Sequence, residues 1–441
     1  MNSNLYNSDS KNNETETKAV DKFTVFLFLS LLTLTFLHMW LPRIYAFGNI
    51  EYYLELNNLG ISDITKLALP FPNYLKILNP LIYLNAMFTI IYVIGKYKIV
   101  KTNYLILYIL MIFYMGFLLV FKTTEPFLYL TSLTQASFIM APGTILVISL
   151  FFLSYNPRVW IQISKALIIF LYLIMIFTIL GFIGVGYEYY STGLAHRLVS
   201  LRWLWAPSII LELLCILAIA NKINKKNWLM FLPIIFLFMG GIFTQTRLTI
   251  IMGIINILVF FILTRKIKHS YKIFRNVLVG VFTLFITVIF YLKISSDNFM
   301  GAFMSQFISR ISEDSRSEQI VNFKLIILEN FSKVFPFGSG YPSFNEYRAL
   351  GANGIDSGYL NILYTTGIPM FILIFLLLLL PVIKALRLNM NFLDAAIVAA
   401  AITWMIRLTS SSTMMFTTEF LLFVLFSGRC AWLVNQQKRG D

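Results

Sequence analysis

ISRISEDSRSEQI (308–320), FPFGSGYPSFNEY (335–347) and DSGYLNILYTTGIP (356–369) are the polar landmarks of a stretch running from Ile294 to Ile368. It is the longest polar interruption in an otherwise apolar chain. Arg310, Arg316, Arg348, Glu313, Asp314, Glu346 and Asp356 all lie within it. The stretch reads as a loop that carries chemistry on one side of a membrane. The apolar segments around it read as the body that positions it.

Composition supports that division. The 441 residues are 58% hydrophobic and only 12% charged, with a mean hydropathy of +0.77. A soluble chain of this length needs more polar surface, so an integral membrane protein is expected. The net charge of +15 does not call for nucleic acid as a partner, because its distribution along the chain has a topological explanation. Cys215 and Cys430 fall in separate apolar segments and are expected to be inert buried thiols rather than a disulfide or metal pair. Residues 1–22 are polar and read as a disordered tail, with no cleavable leader before the first apolar run.

Apolar runs of roughly 17–25 residues, each enough to cross ~30 Å of hydrocarbon, then follow. They fall near 23–42, 78–95, 103–121, 135–153, 166–185, 204–220, 228–243, 248–264, 277–293, 358–383, 392–407 and 414–433. The expected fold is therefore an all-α polytopic membrane protein with about 12 transmembrane helices. Nine of these fill residues 23–293, a large loop occupies 294–357, three helices fill 358–433, and 434–441 form a tail. The connectors at 95–103, 154–165, 221–227, 264–276 and 384–391 hold 15 Lys and Arg in 49 residues. The alternate connectors, at 43–77, 121–136, 186–203, 243–247, 294–357 and 407–413, hold 13 in 145. The positive-inside rule makes the first set cytoplasmic, with both termini, and turns the large loop outward.

The two sides also differ in kind. Inside, Lys outnumbers Arg by 11 to 4; outside, Arg outnumbers Lys by 8 to 5. Topology needs positive charge within but no arginine excess without. The planar guanidinium fork matches phosphate oxygens, whereas an ammonium acts as a point charge. Two readings stand: anion binding by the outer arginines, or snorkelling at helix ends, which suits Arg43 and Arg407. The outer connector GYEYYSTGLAHRLVSLRW (186–203) adds His196, Arg197 and Arg202 among tyrosines. Aromatics of this kind suit sugar rings, and an interfacial aromatic belt accounts for Trp203 and Trp205 equally well. No internal repeat is visible, which weighs against transporters built from related halves.

Within the large loop, Ser315-Arg316-Ser317-Glu318 fits a capping box and leads into Ile320, Phe323, Ile327 and Phe331 at helical spacing. The pattern predicts an amphipathic helix of ~15 residues lying against the membrane body. Arg316 in its first turn opposes the helix dipole unless an anion binds there, or it pairs with Glu313 or Asp314. Arg247, in TQTR (244–247), sits between two apolar helices, where an unpaired cation costs on the order of a few kcal/mol and marks a functional suspect. Asp356 either acts as a general base on a hydroxyl or caps the helix that follows. Gly338-Ser339-Gly340 reads as a tight turn, too short for a nucleotide fingerprint. Neither a Walker motif, a zinc-ligand spacing nor a nucleophile elbow is present in the sequence, and no metal site is expected.

GGIFTQTRLTIIMGI (240–254), SRSEQIVNFKLIILENFSKVFPFGSGYPSF (315–344) and DSGYLNILYTTGIPMF (356–371) together resemble the O-antigen polymerase and ligase superfamily. The likeness covers residues 240–371: a Thr-Gln-Thr-Arg at a helix start, an Arg before a loop helix that ends in G-x-G, and a polar pair before Tyr-Leu and a later Gly-Ile. The resemblance implies a GT-C-like polytopic glycosyltransferase of the inner membrane, working on its periplasmic face in lipopolysaccharide biosynthesis. It implies an undecaprenyl-diphosphate-linked oligosaccharide as donor, membrane lipids and a chain-length regulator protein as partners, and no metal or other cofactor. Arg247 and Arg316 then match the arginines that hold the diphosphate, with Asp356 as catalytic base. Arg197, Arg202, His196, Arg310, Arg348 and Tyr359 become substrate-binding candidates. The ligases carry His-Asn before Tyr-Leu; here Asp356-Ser357 stands in that place, which favours a polymerase. An O-antigen ligase and a lipid-linked oligosaccharide flippase are the alternatives.

Overall fold

The computed structural model describes residues 77–97, 103–122, 189–192, 195–198, 247–264, 331–340, 358–388, 392–409 and 418–440, with single positions among 23–34 and at 283, 328 and 390. Helix α1 spans Leu78–Tyr97 and α2 spans Asn103–Phe121; strands β1 (Tyr189–Thr192) and β2 (Ala195–Leu198) follow. Next come α3 (Arg247–Thr264), the short α4 (Phe331–Val334), α5 (Gly358–Ile374), α6 (Leu380–Ala385), α7 (Phe392–Arg407) and α8 (Thr418–Gly440). The described residues are thus helical apart from one small antiparallel hairpin. Helices stand where the apolar runs at 78–95, 103–121, 248–264, 358–383, 392–407 and 414–433 place them, though α8 continues into the expected tail.

One face of α2 is buried through Tyr108, Met111, Met115 and Leu118, a 3-4-3 spacing that draws one stripe along a helix. The opposite face, with Ile106, Ile109, Leu110, Phe113, Phe117, Val120 and Phe121, is just as apolar and is exposed. A helix that is apolar all round belongs in a large core or in lipid. Among the described residues one helix, Ile362–Ala385, is long and apolar enough to cross a membrane, with a mean hydropathy of 2.7.

That helix is not continuous. Gly367 stands at φ 72 and ψ −175, so α5 is two helices joined by one non-helical residue. The sequence pattern alone reads 358–383 as a single span. Pro369 is the physical reason for the difference: it has no N–H to give the Thr365 carbonyl and its ring crowds that turn. Farther on, Phe375–Leu379 widens into a π-helical turn in which the Leu380 N–H reaches back to the Phe375 carbonyl. Pro381 follows directly, and the wider turn accommodates its ring.

The core is assembled where α6, α7 and α8 meet. Helix α7, FLDAAIVAAAITWMIR, buries Ala395, Ala396, Ala399, Ala400 and Ala401, and these small side chains let α3 and α8 come close on two sides. Phe260 of α3 packs on Ala396. At the other end of α7, Trp404 stacks on Phe423 of α8 with ring centroids 4.6 Å apart and planes 11° from parallel. Cys430 is free and fully buried in this core; Cys215 lies outside the described residues.

Candidate functional site

The break at Gly367 opens a hole in the helical hydrogen-bond ladder, and the turn at 335–340 fills it. In an unbroken helix the Ile368 N–H would bond to the Tyr364 carbonyl. Instead it donates to the Pro336 carbonyl at 3.0 Å, and the Tyr364 carbonyl accepts the Ser339 N–H at 2.9 Å. The Thr365 carbonyl, which Pro369 cannot serve, accepts the Gly340 N–H at 3.0 Å. The Thr366 carbonyl accepts the Tyr114 hydroxyl of α2 at 2.7 Å, and the same hydroxyl lies 2.9 Å from the Phe337 carbonyl. A phenol has one proton, so it serves one of these two oxygens at a time. Each backbone group named here is paired by a segment far away in sequence, as a polar break inside an apolar bundle requires.

Side chains tighten the clasp. Ser339 Oγ lies 3.1 Å from the Tyr364 carbonyl and 3.0 Å from its neighbour's, that of Gly340. Thr366 returns its hydroxyl to the Ile362 carbonyl at 2.7 Å. Three glycines sit where the chains cross, all with positive φ: Gly338, Gly340 and Gly367. A Cβ on Gly338 would stand 2.5 Å from the Thr365 carbonyl oxygen and 2.6 Å from the Gly367 nitrogen. One on Gly340 would strike the Lys122 carbonyl, and one on Gly367 the Pro336 carbonyl. The tight turn expected at Gly338–Gly340 is therefore real, and its purpose is backbone-on-backbone contact. Replacing Tyr114 by Phe removes the proton shared by Thr366 and Phe337. We expect a loss of about 1–3 kcal/mol, read as a lower Tm of the purified protein; an unchanged Tm would mean that water replaces the phenol.

The first turn of α5 is fastened to the last turn of α7. The Gly358 N–H donates to the Leu408 carbonyl at 2.8 Å, and the Tyr359 hydroxyl donates to the Met405 carbonyl at 2.9 Å. Arg407 lies between those two acceptors in sequence and is 5% exposed. The snorkelling reading of Arg407 is therefore corrected: its side chain is buried rather than exposed at the helix end. The signal was available, since a cation at the end of an Ala-rich apolar helix has little to reach for except a site or a partner.

Of the sequence candidates, Tyr359 is half-buried with its hydroxyl engaged. Arg247 is the first residue of α3, at a helix start as expected. His196 and Arg197 lie on β2, where they are the register partners of Ser191 and Tyr190. That hairpin was not foreseen, although a Gly-containing link between YYST and AHRL is a recognised hairpin signal. Arg202, Arg310, Arg316, Arg348 and Asp356 lie outside the described residues, as does the helix expected from Ser315. The structure thus joins the FPFGSG turn to YTTGIP, and the residues after Asp356-Ser357 to α7.

A second polar feature lies elsewhere. Asp394, in the first turn of α7, accepts from Arg429 Nε of α8 at 2.9 Å, and both are buried. The guanidinium carbon sits 4.0 Å from the centre of the Trp432 ring. Asp394 and Arg407 are thirteen residues apart on one helix, or ~20 Å, so this pair is separate from the junction of α5 with the last turn of α7. Among the described residues no group of three His, Cys, Asp or Glu side chains could hold a metal ion. No protein-family model matches the chain, no curated protein matches it, and no solved structure matches it.

Proposed function

We propose that the protein polymerises undecaprenyl-diphosphate-linked oligosaccharide repeat units into O-antigen or a related surface polysaccharide. In this reading it is a GT-C-like protein of about twelve spans in the bacterial inner membrane, with cytoplasmic termini and residues 294–357 in the periplasm. The observation that carries the proposal is the clasp. The G-x-G turn and the Gly-Ile of YTTGIP are separate parts of the resemblance, and they are bonded residue to residue through Ser339, Gly340, Tyr364 and Thr365. An arrangement that fixes the end of the loop against the helix after Asp356 suits an active site assembled from both.

In the proposed reaction Arg247 and Arg316 hold the diphosphate of the growing chain, assisted by Arg310 or Arg197. His196, Arg202, Arg348 and Tyr359 line the sugar path. Asp356 takes the proton from a hydroxyl of the incoming repeat unit, and that oxygen attacks the anomeric carbon. The bond from that carbon to the diphosphate oxygen breaks, and the arginines stabilise the charge gathering on the leaving group. A second reading, a flippase for the same lipid-linked oligosaccharide, draws support from the broken helix, since interrupted helices line substrate sites in transporters.

The test uses a strain that lacks the gene but makes its own lipid-linked repeats. Wild type, Arg316→Ala and Asp356→Ala are restored on plasmids and the surface polysaccharide is run on a gel. A ladder with wild type, and a single-repeat band with either variant at equal membrane abundance, is the expected result. Bare lipid A-core with accumulated lipid-linked polymer in the deletion strain would make the protein a ligase. Repeats trapped on the cytoplasmic leaflet would make it a flippase.

A further inference from the structure

Resting on the membrane topology proposed above, we propose that Phe331–Gly340 is a re-entrant aromatic wedge set into the outer leaflet, with its exposed rings against lipid acyl chains. The first ground is depth. Gly340 meets the backbone of Lys122, just past the end of α2, while the Phe337 carbonyl meets the Tyr114 hydroxyl. Tyr114 precedes Phe121 by seven residues, so the turn descends ~10 Å along α2. Side chains of a helix lean toward its N-terminus, which places the phenol deeper still.

The second ground is what the wedge exposes. Phe331, Phe335 and Phe337 are 53%, 42% and 45% exposed, and Leu328 just before them is 62% exposed. Phe331 stacks on Phe335 with centroids 4.8 Å apart, and Phe337 meets Phe117 of α2 edge-on at 5.9 Å. Phe117 continues to Phe121 and the row ends in the exposed apolar face of α2, where Phe113 is 73% and Phe121 72% exposed. The wedge continues that apolar face through the contact of Phe337 with Phe117, and Lys122 stands at its outer margin beside Gly340. If the face of α2 touches lipid, so does its extension.

The third ground is the backbone. Non-helical chain survives at hydrocarbon depth only where its polar groups are served by protein. Here the Pro336 and Phe337 carbonyls and the Phe335, Ser339 and Gly340 N–H groups all have partners. In FSKVFPFGSG (331–340) only Lys333 carries charge. A turn built for water would have little need of these pairings beside three exposed phenylalanines.

Nitroxide labels read the depth directly. Single cysteines replace Phe113, Phe335 or Phe337 in a Cys215→Ser background, with Cys430 left in place because it is buried. The full chain is reconstituted in phosphatidylcholine–phosphatidylglycerol vesicles. Power saturation then compares collision with oxygen, which concentrates in hydrocarbon, and with a neutral nickel chelate, which stays in water. The expected result is a severalfold excess of oxygen over nickel access at all three positions. Nickel access at 335 and 337, with 113 in hydrocarbon, overturns the wedge and leaves the membrane topology standing. Nickel access at 113 overturns both. An immobile label at 335 and 337 that neither agent reaches means protein covers the surface, and this also overturns the wedge. Two wedge positions are used so that one poorly folding variant leaves the other to decide.

Discussion

Gly367→Ala is expected to remove almost all folded protein. At φ 72 and ψ −175 the residue occupies a region open in practice to glycine alone, where another residue carries a strain of order 1–3 kcal/mol. The steric problem is larger. A Cβ would lie 2.5 Å from the Gly338 nitrogen and closer still to the Pro336 carbonyl. Both obstacles are backbone, so no rotamer change relieves them. Relief requires moving the 335–340 turn away from α5, which breaks the bonds from Ser339, Gly340 and Ile368 together. A total above about 4 kcal/mol belongs among the most damaging single substitutions. The chain supplies its own control in Gly116 of α2, where an added Cβ meets nothing within 4 Å and Ala favours the helix by ~1 kcal/mol. Size-exclusion profiles of fluorescent fusions would show a monodisperse peak for Gly116→Ala and its loss for Gly367→Ala. A normal peak for Gly367→Ala would mean that the clasp does not hold the bundle together.

The helices were legible in the sequence because continuous apolar runs are the strongest periodic signal a chain can carry. Asn103–Phe121 and Phe392–Arg407 coincide with the runs at 103–121 and 392–407. The break in α5 was not legible by the same means. Hydropathy averages over a window, and Thr365, Thr366 and Gly367 are too few to lower the mean around them. The separate signal was chemical: Pro369 denies Thr365 an N–H, and a glycine two residues earlier offers the backbone a way out. No sequence pattern names the partner that fills the gap, since Ser339 and Gly340 contribute backbone N–H groups that any residue possesses. Arg407 shows the opposite error. Its position at a helix end suggested an exposed cation, whereas the structure buries its side chain. The charges at Asp394 and Arg429 lay in plain view inside two apolar runs, where an ionisable residue implies a partner.

The ion pair supplies the second large effect. Asp394→Ala is expected to cost about 3–5 kcal/mol, because it leaves a buried guanidinium without its carboxylate. Arg429 Nη1 has no hydrogen-bond partner even in the intact pair, and Trp432 serves only the face of the group. Among the described residues nothing adjacent is therefore shown ready to take over the charge. Removing both charges should hurt far less, since a well-packed apolar pair of similar volume is often neutral or better than a buried salt bridge. The cycle of Asp394→Leu, Arg429→Met and their combination separates the two ideas. Each single variant should lower Tm by roughly 3–5 °C, and the double variant should recover most of that loss. If the double variant were as unstable as the worse single, packing around Ala395 and Cys430 would matter and the charges would not. Polysaccharide ladders from the same strains decide whether the pair reaches beyond stability. It lies ~20 Å along α7 from Arg407, so a stable double variant is expected to retain wild-type ladder length. A stable double variant that had lost polymer would mean that the Asp394 end of α7 communicates with its other end, to which the first turn of α5 is fastened.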